Sequence, residues 1–304
     1  MLEHDIAGDP MTELKWTHKT PQKIAALLRE HGIMVCANTV ARLMHSMDFS
    51  LRVNNKCLTN SDPERDQQFE WISQLRNRFE RHSLPIISID TKKKEQVGNF
   101  RNPGRKWGRV AQPVHDHDFR SLAIGMAIPY GIYDTLANRG SVFVGISHDT
   151  PAFAAHSIAH WWRNEGARRY RNARKLLILA DSGGSNGHRC RAWKTELQSQ
   201  LSDRFGLTVT VAHYPAGTSK WNPIEHRLFS EISKNWAAEP LDSYDKILNF
   251  IRTTKTRSGL AVSAYLDTNH YPVGQTPDKK TLGELRLRHH KTIPNLNYTI
   301  SPKM

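Results

Sequence analysis

The chain has 304 residues and a formal net charge of +14, from 43 Lys and Arg against 29 Asp and Glu. Its length allows a sizeable buried core in one large domain or two. The excess of cationic side chains indicates a polyanionic partner, such as a nucleic acid, a ribosome or a membrane surface. No run of eighteen apolar residues occurs, and the acidic start Met1–Asp5 lacks the layout of a secretion signal. We therefore expect a soluble protein without a membrane span.

The three cysteines are scattered along the chain, match no zinc-site spacing and cannot all pair with one another. They are Cys36, Cys57 and Cys190. This usage favours a reducing compartment, so the cytoplasm is the predicted location. Cys190 is expected to pack in a core rather than to act as a nucleophile.

Residues 1–60 are predicted to form a small helical unit. Thr20 and Pro21 are typical of a helix start, and Gly32 is typical of a helix end. Ile33–Val35 is predicted to form a buried turn, and a second helix is expected to start near Asn38. This spacing is typical of a helix-turn-helix motif.

The second helix of this pair is predicted to lie in a DNA major groove, as recognition helices do. The predicted contacts are Asn38, Thr39 and Arg42. Cationic side chains around the two helices favour this interpretation. Two packed helices without a role in DNA binding are the alternative.

Residues 61–84 are predicted to form a connecting helix. Ser61–Pro63 supplies a helix start, and four apolar side chains at helical spacing share one side of the helix: Phe69, Ile72, Leu75 and Phe79.

Residues 85–304 are predicted to form an α/β domain. Its pattern of apolar runs is read as three strands followed by alternating helices and strands, which favours a mixed sheet with helices on both faces. The first three predicted strands end at residue 90, span 121–133 and span 141–146. Helices are predicted over 151–162, over 186–204 and from residue 223, and they alternate with strands over 175–180 and 207–214.

Three carboxylates stand at the ends of these predicted elements. Asp90 and Asp181 each follow a short apolar run that is typical of a buried strand, and a glycine-rich turn follows Asp181. Glu225 falls in the first turn of a helix for which Asn222 is the predicted N-cap and Pro223 the first helical residue. Ligands of open α/β sheets bind at the carboxyl ends of the strands, so these acids are expected to meet.

Each acid also has a purely structural interpretation. Asp90 could cap a turn, Asp181 could bind the amides of its own loop, and Glu225 could complete a capping box. Leu228 and Phe229, three and four residues further on, place Glu225 at the start of the apolar stripe that faces the core. A capping glutamate does not need that face, which favours the functional interpretation.

Three converging carboxylates repel one another, by about 4 kcal/mol per pair at 4 Å and an effective dielectric constant near 20. A cation must offset this repulsion, and an all-oxygen cluster suits two Mg²⁺ or Mn²⁺ ions. Two such ions would activate the attacking oxygen and stabilise the leaving oxygen of an in-line displacement at phosphorus. We therefore predict a two-metal phosphoryl-transfer site, in which Asp90, Asp181 and Glu225 are both metal ligands and catalytic residues.

Two further groups of residues have the composition of a binding site. Lys92, Lys93 and Lys94 follow Asp90 and are predicted to contact the phosphate backbone of DNA. His115 and His117 alternate with aspartates in a predicted strand, which would put the aspartates on the opposite face and disfavours a metal site there. The remaining basic runs, at 101–109, 163–175 and 286–291, are mostly expected to be solvated faces.

Three blocks of the sequence together resemble the DDE transposases of bacterial insertion sequences. They are Ser88–Glu95, Ala180–Gly187 and Trp221–Glu225, the last being similar to the Asn-Pro-Ile-Glu block of Tc/mariner-like transposases. The resemblance covers roughly residues 10–301. It implies a ribonuclease-H-like catalytic domain, with Asp90 and Asp181 as the catalytic aspartates and Glu225 as the catalytic glutamate.

The resemblance also implies an activity and its partners. Water would first cut a phosphodiester at the end of the element, and the freed 3′-hydroxyl would then attack target DNA, with Mg²⁺ or Mn²⁺ as cofactor. The implied partners are the terminal inverted repeats, target DNA and further copies of the chain, with no membrane. Members of that family begin further upstream with additional helical sequence. The chain is therefore expected to be a truncated or internally initiated copy, which affects binding of the element ends more than catalysis.

Two other functions remain open at this point. One is a ribonuclease-H-like nuclease that hydrolyses DNA without strand transfer. The other is an inactive, DNA-binding remnant of a transposase.

Overall fold

The computed structural model of the protein describes residues 7–8, 15–52 and 64–303. The chain divides into two compact units, Met1–Asn60 and Ser61–Met304. None of the described helices is long and apolar enough to cross a membrane. Cys57 and the predicted helix start at Ser61–Pro63 lie outside the described residues.

The described residues of the smaller unit form two short strands and two helices. Strands β1 (Ala7–Gly8) and β2 (Lys15–Trp16) pair antiparallel. Helices α1 (Pro21–Glu30) and α2 (Ala37–Ser46) follow, which confirms the predicted helix pair. The predicted ends of the first helix are also found: Thr20 Oγ1 accepts a hydrogen bond from the backbone N–H of Lys23, and the chain leaves the helix through Gly32 at φ +78°.

The core of the smaller unit is small. Among the described residues of this unit, Ile24, Ala25 and Val40 are buried together. The predicted buried turn is wrong for Ile33 and Met34, which are 49% and 73% exposed. Val35 is partly buried and packs against the core, because it lies just before the second helix.

The larger unit is built on one mixed sheet of nine strands. The strands are β3 (Ile86–Thr91), β4 (Glu95–Val97), β5 (Gly125–Asp134), β6 (Arg139–Gly145), β7 (Lys175–Ala180), β8 (Thr208–His213), β9 (Ala261–Asp267), β10 (Leu287–His289) and β11 (Asn297–Ile300). Their order in the sheet is β10-β11-β8-β7-β3-β5-β6-β9, with β4 paired to β5. The neighbours β3, β5 and β6 are antiparallel, whereas β3, β7 and β8 are parallel. This is the ribonuclease-H-like arrangement that the resemblance implies.

Helices cover both faces of this sheet, as predicted. On one face α4 and α6 pack over the centre of the sheet, and on the other lie α3, α7 and α8. The segment before α7, Glu225–Phe229, is a wider π-helical turn, and we call the continuous helical segment 223–235 the Glu225 helix. The helices are α3 (Arg65–Arg81), α4 (Pro151–Trp161), α5 (Ala167–Arg169), α6 (Arg191–Leu197), α7 (Ser230–Asn235), α8 (Tyr244–Thr253) and α9 (Lys279–Gly283).

Helix α3 lies within the predicted connecting helix, and its side chains Ile72, Leu75 and Phe79 pack on the sheet of the larger unit. The start of one other predicted helix differs in the structure. The helix predicted to begin near residue 186 begins only at Arg191, because residues 181–190 form turns, with the N–H of Gly187 bonded to the carbonyl of Gly184. The pattern made no prediction for residues 236–304, which supply α8, α9 and β9 to β11.

The Glu225 helix lies unusually close to the sheet at one residue of β5. A Cβ atom added to Gly131 would lie 2.4 Å from Phe229 Cε1 and 2.8 Å from Ile224 Cδ1. Gly131 is also the register partner of Asp90. The absence of a side chain at this position therefore sets the distance between the Glu225 helix and the strand that carries Asp90.

We predict that Gly131→Ala destabilises the fold by about 1–3 kcal/mol, because two packed side chains must move to admit one methyl group. Urea unfolding of the purified protein measures this change. Gly283→Ala is the matched control, since a Cβ there meets no atom within 4 Å and alanine suits the end of α9. Equal stability of the two variants would contradict the close approach.

Candidate active site

The topology brings the three predicted acids to one edge of the sheet. Asp90 lies near the end of β3, and Asp181 directly follows β7. These two strands are parallel neighbours, with Ile89 in register with Ala180, so the two aspartates occupy adjacent positions. Glu225 lies in the first turns of the helix that packs beside them and adds its charge to both aspartates.

The acids influence one another strongly. Burial first, and then the negative charge of Asp181, raise the pKa of Asp90 from its ordinary value of 3.8 to about 8. Glu225 also acts to raise this pKa, and only the backbone N–H of Thr91, which donates to Asp90 Oδ1, acts to lower it. The pKa of Asp181 is raised by burial and by Glu225, against a hydrogen bond from Asn222 that lowers it. The three groups thus form one electrostatic cluster.

A buried hydrogen-bond network fixes the elements that carry the acids. Asn222 Nδ2 donates to Asp181 Oδ1 at 2.9 Å and to the carbonyl of Ile89 at 3.2 Å, while Asn222 Oδ1 accepts from Ser88 Oγ. Ser88 Oγ in turn accepts from the backbone N–H of Ile224 at 3.0 Å. Asn222 and Ser88 are fully buried. One amide and one hydroxyl therefore connect β3, Asp181 and the start of the Glu225 helix.

This network revises the predicted helix cap. Asn222 has the extended backbone of an N-cap residue and Pro223 is the first helical residue, as expected. The side chain of Asn222, however, points to Asp181, and Ser88 satisfies the free N–H of the helix instead. Ser88 lies 136 residues before Ile224 in the sequence, so no local pattern could have revealed this contact.

A second buried chain of hydrogen bonds holds the backbone of Asp181. His213 Nδ1 lies 2.8 Å from the carbonyl oxygen of Asp181, which can only accept, so Nδ1 carries the proton. His213 Nε2 then accepts from Tyr298 Oη, which itself accepts from Trp193 Nε1. Burial lowers the pKa of His213 to about 3, so its ring is neutral at physiological pH.

A groove of about 420 Å³ opens beside Asp90 and Asp181. Lys93 and Lys94 line it and are exposed, so their predicted contact with DNA stays a prediction. Lys92 is different: it is 9% exposed, its Nζ lies 3.3 Å from Glu95 Oε1, and it lies 4.6 Å from the centre of the Trp236 ring. This packing favours a structural role for Lys92.

The groove contains two polar residues that the sequence analysis missed. Asp149 Oδ1 accepts from Thr91 Oγ1 at 3.2 Å and adds a fourth carboxylate. Asn186 is almost fully buried, and its Nδ2 has no hydrogen-bond partner among the described residues. The signal for Asp149 was its position directly before the helix start at Thr150 and Pro151.

The donor set of the site fits a hard divalent cation, because it consists of carboxylate oxygens. In this conformation no three of the described His, Cys, Asp and Glu side chains already form a metal cage. Asp181 is bonded to Asn222, and the raised pKa of Asp90 means that its carboxyl keeps a proton near neutral pH. A bound cation would replace the proton on Asp90.

The remaining candidates lie elsewhere. The strand predicted around His115 and His117 is wrong, because these residues belong to a loop in which His117 stacks on Phe119 and pairs with Asp116. Strand-like alternation in the sequence does not form a strand without a neighbouring strand to pair with. Cys190 packs against the core, as predicted.

The predicted DNA contacts of the smaller unit remain predictions. Asn38 and Arg42 are exposed on α2, and Thr39 Oγ1 lies 3.2 Å from Cys36 Sγ.

A ribonuclease-H-like sheet with two acids at one edge and a third on the facing helix is the arrangement of the DDE transposase class. The chain belongs to the family described as the Rhodopirellula transposase DDE domain, whose model matches residues 1–302. No curated protein matches the sequence.

Solved structures with a similar fold include two complexes of Mos1 transposase. The paired-end complex with the left transposon end is 18% identical over 77% of this chain and 65% of that chain, with a TM-score of 0.46. The Mos1 strand transfer complex is 18% identical over 77% of this chain and 64% of that chain, with a TM-score of 0.45. This chain thus spans just under two thirds of the length of these Mos1 chains.

We predict that, without divalent ions, Asp90→Asn stabilises the protein by roughly 1–3 kcal/mol at pH 8. The folded carboxyl keeps its proton up to a pKa of about 8, whereas an unfolded one loses it near 3.8, so stability falls as pH rises through this window. Asparagine removes that dependence. Thermal unfolding at several pH values measures it, and a wild-type stability that rises between pH 5 and 8 together with no gain in the variant would contradict the shift.

We predict that Asn222→Ala costs about 2–4 kcal/mol, because it leaves several buried polar groups without partners. A double-mutant cycle with Ser88→Ala should give a coupling energy of about 0.5–3 kcal/mol. Asn102→Ala is the control, because its amide makes one bond, to the carbonyl of Trp236. Additive effects of the Ser88 and Asn222 substitutions would show that the network does not act as a unit.

Proposed function

We propose that the protein is an active transposase that cleaves DNA at the ends of an insertion sequence and joins those ends to target DNA, with Mg²⁺ or Mn²⁺ as cofactor. The observation that carries this proposal is the meeting of Asp90, Asp181 and Glu225 in one electrostatic cluster at a sheet edge. The proposal rests also on membership of a DDE transposase family.

In this mechanism Asp90, Asp181 and Glu225 would hold two divalent ions. Such ions would supply activation of the attacking oxygen and charge stabilisation of the leaving oxygen. Asp90 would have to lose its proton to act as a ligand, and Asn222 keeps Asp181 oriented. Neither cleavage nor joining requires a covalent enzyme intermediate, so no nucleophilic Ser or Cys is needed.

The surroundings of the acids suit a phosphodiester substrate. Lys93 and Lys94 can hold the backbone beside the acids, because they are exposed at the same groove. Gly183 and Gly184 are exposed in the loop after Asp181, where the lack of side chains lets a DNA strand approach closely.

The proposal also covers the smaller unit, the DNA partners, the oligomeric state and the location of the protein. The smaller unit binds the terminal inverted repeats through Asn38, Thr39 and Arg42 of α2. Target DNA is the second nucleic-acid partner, and the active species is a homo-oligomer in the cytoplasm.

We predict that Asp181→Asn lowers metal-dependent cleavage by about 10³-fold or more and leaves DNA binding intact, because the substitution removes a metal ligand but no phosphate contact. The assay uses end-labelled DNA with the inverted repeats that flank the gene. Chelation of the metal should abolish cleavage, and added Mg²⁺ or Mn²⁺ should restore it. Asp242→Asn is the matched control, an exposed aspartate that pairs with Lys246.

The products of this cleavage assay also distinguish the alternative functions. Joined products together with cut ends support transposition. Cut ends without joined products would support a nuclease that only hydrolyses, and DNA binding without metal-dependent cleavage would indicate an inactive remnant. Full activity of Asp181→Asn would remove Asp181 from the mechanism.

A further inference from the structure

A second groove, of about 740 Å³, lies on the face of the sheet that α3 covers. We call it the basic groove. Helix α3, the first residues of β7 and β8, and the β10–β11 pair form its walls. The residues that matter here are Trp71, Arg78, Lys175, Arg288, His290 and Lys291.

The lining of the basic groove carries positive charge without compensation. It includes two arginines, two lysines and three histidines, and none of the described residues that line it is acidic. No ion pair joins Arg78, Lys175, Arg288 or Lys291 to a carboxylate of the described chain. Lys92, Lys106 and Lys246, in contrast, each pair with a glutamate. The groove therefore concentrates unpaired cations of the larger unit.

Two buried polar atoms in the groove also lack partners. Trp71 Nε1 and His290 Nδ1 are buried without a hydrogen bond to any described residue, and the two rings meet edge to face at 5.7 Å. The indole N–H can only donate, so it requires an acceptor. The pKa of His290 is lowered by burial and then by the charges of Arg288 and Arg78, which reports the positive potential of the groove.

The basic groove is separate from the acids. Lys175 is the first residue of β7, whereas Asp181 follows its last residue. Six residues of strand span about 20 Å, so the groove and the acids lie at opposite ends of the same strand. A phosphate group bound at the acids therefore cannot also contact the residues of the basic groove.

We propose that the basic groove binds the phosphate backbone of a DNA segment other than the one held at the acids. Unpaired Arg and Lys, exposed at the groove, suit phosphate oxygens. The choice of DNA as the polyanion rests on the proposed function, but binding in the groove does not depend on catalysis.

The test compares two triple variants that remove equal charge. The groove variant is Arg78→Gln, Lys175→Gln and Arg288→Gln. The control variant is Arg139→Gln, Lys255→Gln and Arg257→Gln, three exposed cations near the starts of β6 and β9. Binding of a random-sequence duplex by the full chain is measured between about 50 and 200 mM salt. The plot of log K, where K is the association constant, against log salt concentration has a negative slope. The magnitude of this slope should be lower by about 2–3 in the groove variant than in the wild type, and the control variant should keep the wild-type slope.

A footprint on the wild-type protein guards against misfolding of the variants. Duplex DNA should protect Lys175 and Lys291 from acetylation, as read by mass spectrometry, and should leave Lys255 and Lys279 reactive. Protection by poly-glutamate but not by DNA would overturn the proposal in favour of an acidic protein partner.

The outcomes also separate this proposal from the proposed function. Metal-dependent cleavage with an unchanged salt slope in the groove variant would overturn the groove and leave the transposase. A groove-dependent slope in a protein that never cleaves would leave the groove and overturn the transposase. Equal loss of slope in both triple variants would also overturn the groove, since only net charge would then matter.

Discussion

The structure depends on holding carboxylates together that repel one another. Each charge that is moved into a partly buried site loses hydration, and each additional negative charge raises the cost. The folded chain limits this cost by keeping a proton on Asp90 and by giving Asp181 a donor in Asn222. Because Asn222 also bonds to β3 and accepts from Ser88, the group that relieves Asp181 also fixes the strand that carries Asp90.

The rest of the larger unit keeps this arrangement rigid. Gly131 lets the Glu225 helix lie against β5, and the π-helical turn at Glu225–Phe229 departs from regular geometry at the residue whose side chain must reach the aspartates. The buried chain of hydrogen bonds from Trp193 through Tyr298 to His213 supplies a donor to the backbone carbonyl of Asp181, directly after β7. A sheet with helices on both faces resists deformation because its core is close-packed. Small shifts of the acids are therefore costly.

The parts of this site that the sequence predicts are those with a local signal. An apolar run that ends in an acid marks the ends of β3 and β7, and the Asn-Pro pair marks the start of the Glu225 helix. Ser88, Gly131 and His213 act through partners that are distant in sequence, so no spacing reveals them. The wrong predictions share one cause. The strand at His115–His117 and the burial of Ile33 and Met34 were inferred from local patterns, but the fold places no strand beside the former and leaves the latter two side chains exposed.

The distribution of charge over the sheet lets one chain attract both cations and a polyanion. At the edge with the acids, Lys92 is paired with Glu95, so its charge does not compete with a divalent ion. The unpaired cations of the basic groove lie about 20 Å away along β7. At that distance a unit charge interacts with a carboxylate by less than about 1 kcal/mol at an effective dielectric constant near 20, and salt screens exposed charges beyond about 8 Å. The cations of the basic groove can thus favour association with a polyanion without competing with a cation at the acids, whereas Lys93 and Lys94 line the same groove as the acids and add positive charge there.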